Sequence, residues 1–176
     1  MLLIAGVHGV GKSYFCSMIK DTLHIETFTA SELISNEKHT SFKSNKLIQG
    51  EGITDNQHYL LLAINKLKAE SSRFILDGHF CLLNQNGDVE RIPMETFTGL
   101  NPNGIIVLTE HTQIIADRRK LRDGIIVSIE AVESFQNEEV SYASEIAEKL
   151  GVKLLICNAE KEIPKAIEFI RCLEGS

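Results

Sequence analysis

Residues Gly6-Val7-His8-Gly9-Val10-Gly11-Lys12-Ser13 read G-x-x-x-x-G-K-S and follow directly on the apolar run Met1-Leu2-Leu3-Ile4-Ala5. A short apolar strand, a glycine-rich turn and a helical pattern in that order predict a phosphate-binding loop. Glycine at the fixed positions lets the backbone wrap a phosphate chain where a side chain would intrude. The loop N–H groups and the N-terminus of the following helix then face the phosphates. Gly9, Val10, Gly11, Lys12, Ser13 and Tyr14 are the expected ATP-binding residues. In such a site Lys12 reaches the β- and γ-phosphates and the Ser13 hydroxyl ligates Mg²⁺.

The rest of the chain alternates strands with helices. Phe15, Met18, Ile19 and Leu23 recur at helical spacing, so a helix is expected from Lys12 to about Leu23. His24–Thr29 alternates as a strand, and Ser31 opens a short helix. From Ser35 to Asp55 the apolar periodicity collapses into a polar stretch dotted with lysines, read as either a surface loop or a mobile flap. Asp55 is the expected cap of the next helix, Phe74–Leu76 is a strand, and residues 84–103 carry turn chemistry. Ile105–Leu108 is a strand, and Thr112 caps a helix running into Arg118-Arg119-Lys120-Leu121-Arg122-Asp123. A long helix from about Ser128 to Leu150 ends at Gly151, Val152–Cys157 is the last strand, and Ile163, Ile167, Ile170 and Leu173 line a closing helix. This order implies an α/β fold, a parallel sheet of five strands between two helical layers, built as a single domain over residues 1–176.

Composition narrows the function classes. The chain has 176 residues, 43% hydrophobic and 24% charged, and a net charge of −6, which argues against general nucleic-acid binding or an anionic membrane surface. No apolar run approaches the roughly 18 residues of a membrane span. Cys16, Cys157 and Cys172 fall in apolar patterns and no cysteine pair has metal-ligand spacing. Buried free thiols imply a reducing compartment, most simply the cytoplasm.

Three further stretches bear on the chemistry. Asp77 ends an apolar strand in F-I-L-D-G-H, where an aspartate orders the Mg²⁺ water shell and, in a kinase, approaches the acceptor. The next residue is Gly78 and not a water-activating glutamate, and no Asn-Lys-x-Asp guanine signature occurs, so transfer to an acceptor is favoured over hydrolysis. Arg118 and Arg122 lie one helical turn apart and suit phosphate clamping, with Arg119 off that face; a solvated surface run is the alternative. Lys43, Lys46, Gln57 and His79 are candidate acceptor-site residues, with Gln57 placed for a contact to an acceptor base. No arginine occurs from Met1 to Ser72, so an acceptor phosphate on that side would be held by lysines as point charges.

The succession G-V-x-G-V-G-K-S, D-G-H at 77–79, L-N-P at 100–102 and R-R-x-x-R-D at 118–123 resembles the archaeal-type adenylate kinases and related small AAA-type ATP-binding proteins. The resemblance implies a phosphate-loop kinase with strand order 2-3-1-4-5, a flap for a nucleoside monophosphate at 31–58 and a short lid at 118–127. It implies Mg-ATP as phosphoryl donor and Lys12, Asp77, Arg118 and Arg122 as catalytic residues, with Ser13 and Asp77 (through water) at the metal. A regulatory ATP-binding module working through a protein partner is the other reading of the same residues.

Overall fold

The computed structural model describes residues 1–43, 53–71, 73–84 and 86–175, with the backbone alone at 40–43, 53 and 54. In chain order the elements are β1 (Leu2–Ala5), α1 (Lys12–Leu23), β2 (Glu26–Thr29), α2 (Ala30–Lys43), α3 (Ile53–Glu70), β3 (Phe74–Asp77) and β4 (Cys81–Leu83). They continue as β5 (Val89–Arg91), α4 (Met94–Leu100), β6 (Gly104–Thr109), α5 (Thr112–Asp123), α6 (Ile129–Leu150), β7 (Lys153–Asn158) and α7 (Ile163–Glu174). The main sheet is parallel throughout in the order β2-β3-β1-β6-β7. Counted along these five strands alone, that is the expected 2-3-1-4-5. The short antiparallel pair β4-β5 stands apart from it.

Central strands covered on both faces are apolar without alternation. All four residues of β1 are buried, as are the first five of β6. Register shows the two faces. Gly104 pairs with Leu2, and a Cβ on it would lie 2.5 Å from Leu173 Cδ1 in α7. Leu3 and its partner Leu76 project the opposite way, toward Phe97 and Leu100 of α4. Helix α1 packs with α7, whereas α4 packs with α3 and α6. Helix α6 is bounded as its sequence signals: Ser128 Oγ accepts from Ala131 N at 3.1 Å, and Gly151 closes the helix at φ +66. Among the described residues no helix is long and apolar enough to cross a membrane.

Several expectations are corrected. The polar stretch from Ser35 is helical up to Lys43, and helix resumes at Ile53, so most of it is not a plain loop; residues 44–52 of the expected flap lie outside the described residues. Their facing sides are joined by an ion pair as well as by apolar contact: Lys66 Nζ lies 2.6 and 2.8 Å from the Glu37 carboxylate oxygens. Thr29 supplies the cap of α2, its Oγ1 accepting from Glu32 N at 3.3 Å. Asp55 sits inside the first turn of α3, which begins at Ile53. His111, not Thr112, is the N-cap of α5, its Nδ1 accepting from Gln113 N. The turn-rich stretch 84–103 holds β5 and α4, with Asn84 Oδ1 binding the hairpin turn through Asn86 N and Asp88 N. Cys16, Cys81 and Cys157 are buried; Cys172, expected inside, is exposed.

Gly6 (φ +147) is the tightest point of the strand-to-loop turn, where an added Cβ would lie 2.8 Å from the Leu108 carbonyl oxygen. Gly6→Ala should lower stability by about 1–3 kcal/mol in urea unfolding. Gly124→Ala, where φ is +68 and nothing lies within 4 Å, should cost about 1 kcal/mol. Equal losses at both would remove the contact with β6 as the cause.

Candidate active site

The loop is gripped from three sides. Gly11 caps α1 at φ +111 with no side chain to occupy the helix end, and its Cβ would meet Ala159 Cβ at 3.2 Å and Arg118 Nη1 at 3.3 Å. A Cβ on Gly9 would meet Arg119 Cγ at 3.0 Å and the Ile115 carbonyl at 3.1 Å. The first turn of α1 has no acidic residue, so its N–H groups and the positive end of its dipole are left for an anion. This cradle, closed to any Cβ, fits the phosphate chain of a nucleotide.

Lys12 Nζ donates to the Gly6 carbonyl at 2.5 Å and lies 3.4 Å from His79 Nε2 and 3.9 Å from Asp77 Oδ1. Burial pushes the Lys12 pKa down, with Asp77 and Glu139 opposing. Burial raises the Asp77 pKa, against the pull of Lys12. The His8 and His79 rings sit 4.6 Å apart between centroids, and burial beside Lys12 lowers both, His79 to well below 6.5. Both rings are therefore neutral hydrogen-bonding groups near pH 7. The Ser13 hydroxyl and the Asp77 carboxylate line the cavity beside Lys12 and are donors that could hold a Mg²⁺. No cluster of three His, Cys, Asp or Glu suited to a metal occurs among the described residues. A Mg²⁺ held chiefly by phosphates and water requires no such cluster.

A cavity of about 930 Å³ gathers most of the expected residues. Gly9, Gly11, Lys12, Ser13, Tyr14, Asp77 and His79 line it, as do Gln57, Arg118 and Arg122. Val10 is buried behind it, and its carbonyl accepts from Arg118 Nη1 at 3.1 Å. Lys46 lies outside the described residues, and of Lys43 only the backbone is described.

The arginines do not form the matched pair that their spacing suggested. Arg118 is fastened to the loop carbonyls of Gly9 and Val10 and ion-paired with Glu160. Arg122 binds Asp123 through Nε and Nη2, at 2.7 and 2.8 Å, and its side chain is 62% exposed. Arg119 does not line the cavity; its stem packs on Gly9, and its Nε is buried without a hydrogen-bond partner among the described residues.

One residue of the site escaped sequence reading. Glu139, in the middle of α6, is fully buried and accepts from Phe80 N at 2.9 Å and Cys81 N at 2.7 Å, with Oε1 3.9 Å from His79 Nδ1. Burial raises its pKa while the two N–H bonds oppose the rise. It was legible: Val132, Phe135, Glu139, Tyr142 and Ile146 fall on one helical stripe, and a glutamate inside such a stripe demands buried partners.

Residues 5–136 match the family model described as an AAA domain. Among solved structures, a gluconokinase from Sinorhizobium meliloti 1021 is similar at TM-score 0.55 and 15% identity, covering 99% of this chain and 93% of that one. A shikimate kinase from Bacteroides thetaiotaomicron is similar at TM-score 0.52 and 13% identity, covering 99% and 98%. At such identities the likeness is one of fold. Comparison with curated proteins gives no match.

Glu139→Ala should destabilise the chain by about 2–5 kcal/mol, because it strands two buried N–H groups; urea midpoints measure it. A loss below about 1 kcal/mol would remove Glu139 as a structural anchor. His79, neutral and buried, binds a proton less readily in the folded than in the unfolded chain. Below pH 6.5 the unfolded state therefore takes up more protons and stability falls. Asp77 and Glu139, whose folded pKa values are raised, act in the opposite sense at the pH values just above their ordinary 3.8 and 4.5. Urea titrations at pH 7.5 and 5.5 should thus show a larger acid loss in the wild type than in His79→Asn, and equal losses would contradict a buried neutral His79.

Proposed function

The chain belongs to the AAA-domain family, and from that premise we propose that it is an ATP-dependent phosphotransferase, moving the γ-phosphoryl of Mg-ATP to a nucleoside monophosphate or similar small acceptor. The observation that carries this reading is that a single cavity runs from the phosphate loop at Lys12 to Gln57 and Phe97 on α3 and α4. A volume of about 930 Å³ is at the upper end of the usual small-molecule range, with room for a second molecule beside the triphosphate. The resemblance in the loop, D-G-H, L-N-P and lid nominates a nucleoside monophosphate as the acceptor. The two solved kinases of the same fold are consistent with transfer to a small molecule.

In this reading the loop N–H groups and Lys12 hold the β- and γ-phosphates. Bound Mg²⁺ supplies charge neutralisation across the transferring group. Ser13 and Asp77 would hold the ion, the hydroxyl directly and the carboxylate through water. The Asp77 carboxylate, whose pKa burial raises, would approach the acceptor. Arg118, fixed to the loop, adds positive charge from the lid side, and Arg122 does so on leaving Asp123. Catalysis is then positional and electrostatic.

A regulatory module with weak ATPase activity is favoured by one feature: Leu121 and Ile126 at the lid are 86% and 82% exposed, as a protein-facing surface would be. Labelled ATP separates the two readings, because a module releases inorganic phosphate while a kinase labels an acceptor.

Lys12→Ala should abolish Mg-ATP binding in calorimetry while leaving the fold intact. Wild-type affinity in that variant would disprove the assignment of the loop. Asp77→Asn should keep ATP affinity within about tenfold and lose most turnover. Arg118→Ala should lower turnover by about 10²- to 10⁴-fold.

A further inference from the structure

The Lys12 ammonium has three N–H donors and no acceptor. Facing it are the Gly6 carbonyl at 2.5 Å, His79 Nε2 at 3.4 Å and Asp77 Oδ1 at 3.9 Å. An imidazolium at His79 would press a second cation against Lys12, so the ring is neutral, with one nitrogen protonated and the other a lone pair. A proton on Nε2 would set two donors against each other across 3.4 Å. Nε2 is therefore the acceptor for Lys12, and the ring proton sits on Nδ1.

The other side of the ring leads to the same assignment. Nδ1 is buried with no hydrogen-bond partner among the described residues, and Glu139 Oε1 lies 3.9 Å from it. That gap is too long for a hydrogen bond, yet short for a charge acting through an interior of low dielectric. A lone pair on Nδ1 would be repelled by the carboxylate, whereas an Nδ1–H is attracted. Glu139 is fully buried, with Oε1 accepting from Phe80 N and Oε2 from Cys81 N. Fixed at both oxygens, the carboxylate cannot turn away from the ring. The His8 ring, 4.6 Å from that of His79 between centroids, is neutral as well and adds no charge to this balance.

We infer that Glu139 is a positioning residue for the phosphate loop: its buried charge fixes the Nδ1–H tautomer of His79, and the Nε2 lone pair so presented steadies Lys12. An anchor for the strand end would need only the two backbone N–H groups, so this role is additional to that one. It rests on Lys12 serving a bound triphosphate, whether the phosphoryl then goes to an acceptor or to water. The effect falls on turnover more than on affinity. A Lys12 ammonium that has lost one of its acceptors still attracts phosphates, but its placement against the transferring group is degraded.

Long-range ¹H–¹⁵N NMR of the full chain distinguishes the two ring nitrogens, and His79→Gln identifies the His79 signals by their loss. At pH 7.5 wild-type His79 should show a protonated Nδ1 and a bare Nε2. A ring protonated at Nε2, or an even mixture, would overturn the inference without any variant having to fold. Glu139→Gln should move the ring to a mixture or to Nε2–H. The same variant should slow the loss of γ-label from Mg-ATP, counted in every product, about tenfold or more, with KM for ATP changed less than about threefold. In a His79→Gln background there is no tautomer to set, so Glu139→Gln should there change turnover less than about threefold while still lowering the urea midpoint. Equal turnover losses in both backgrounds, or an unmoved tautomer in Glu139→Gln, would reduce Glu139 to an anchor and overturn the inference. Wild-type Mg-ATP affinity in Lys12→Ala would instead overturn the loop reading on which it rests, a result that the tautomer measurement cannot produce.

Discussion

Glu139 brings a carboxylate into the interior from the middle of α6 and commits both oxygens to the backbone N–H groups of Phe80 and Cys81. Those two residues follow directly on Asp77, Gly78 and His79, so the end of β3 is held by a helix that is distant in sequence. His79 is in turn within 3.4 Å of Lys12. A polar chain from α6 to the strand end to the phosphate loop thus crosses an otherwise apolar core. Its cost is desolvation, visible in the raised pKa of Glu139 and the lowered values of His79 and Lys12. Hydrogen bonds and nearby opposite charge offset that cost. The same helix steadies the neighbouring hairpin, where Tyr142 donates its hydroxyl to the Ile92 carbonyl at 2.7 Å and Arg91 lies 4.5 Å over the Tyr142 ring.

How much of this was readable depended on whether local pattern or distant contact decided the structure. Leu2–Ala5, the loop and α1 were legible because one short stretch holds the strand, the turn and the helix start, each with its own residue chemistry. Ser128 and Gly151 likewise delimit α6 by local capping. The β4-β5 hairpin was not legible beyond its turn chemistry, since three-residue strands carry no usable alternation and α6 packs against both of them. Helix α2 was hidden for a related reason. Its described apolar residues Leu33 and Ile34 are partly buried, and it takes support from β2, α3 and the Glu37–Lys66 pair.

Within the site, residue types were easier to read than their partners. Spacing placed Arg118 and Arg122 on one side of α5, and both do line the cavity. It could not say that Arg118 would bind loop carbonyls and Glu160 while Arg122 turned to Asp123, because those partners lie either far away in sequence or immediately adjacent. Arg119, off that side as its angular position on the helix implies, leaves the cavity wall and packs its stem on Gly9, a contact spacing alone could not foretell. Gln57, by contrast, was singled out from its place near a helix start, and it lies buried in the cavity wall.

The placement of β1 carries a consequence for how the molecule is made. Its four apolar residues are sandwiched between β3 and β6, whose paired residues begin at Ile75 and Gly104. A growing chain therefore carries Leu2–Ala5 unpaired until much of the sequence exists, and local helices alone cannot bury it. Such long-range parallel pairing makes for slow assembly and prolonged exposure of sticky backbone. Fragments ending before Gly104 would leave one flank of β1 permanently open, which makes premature termination a source of aggregation rather than of smaller working domains.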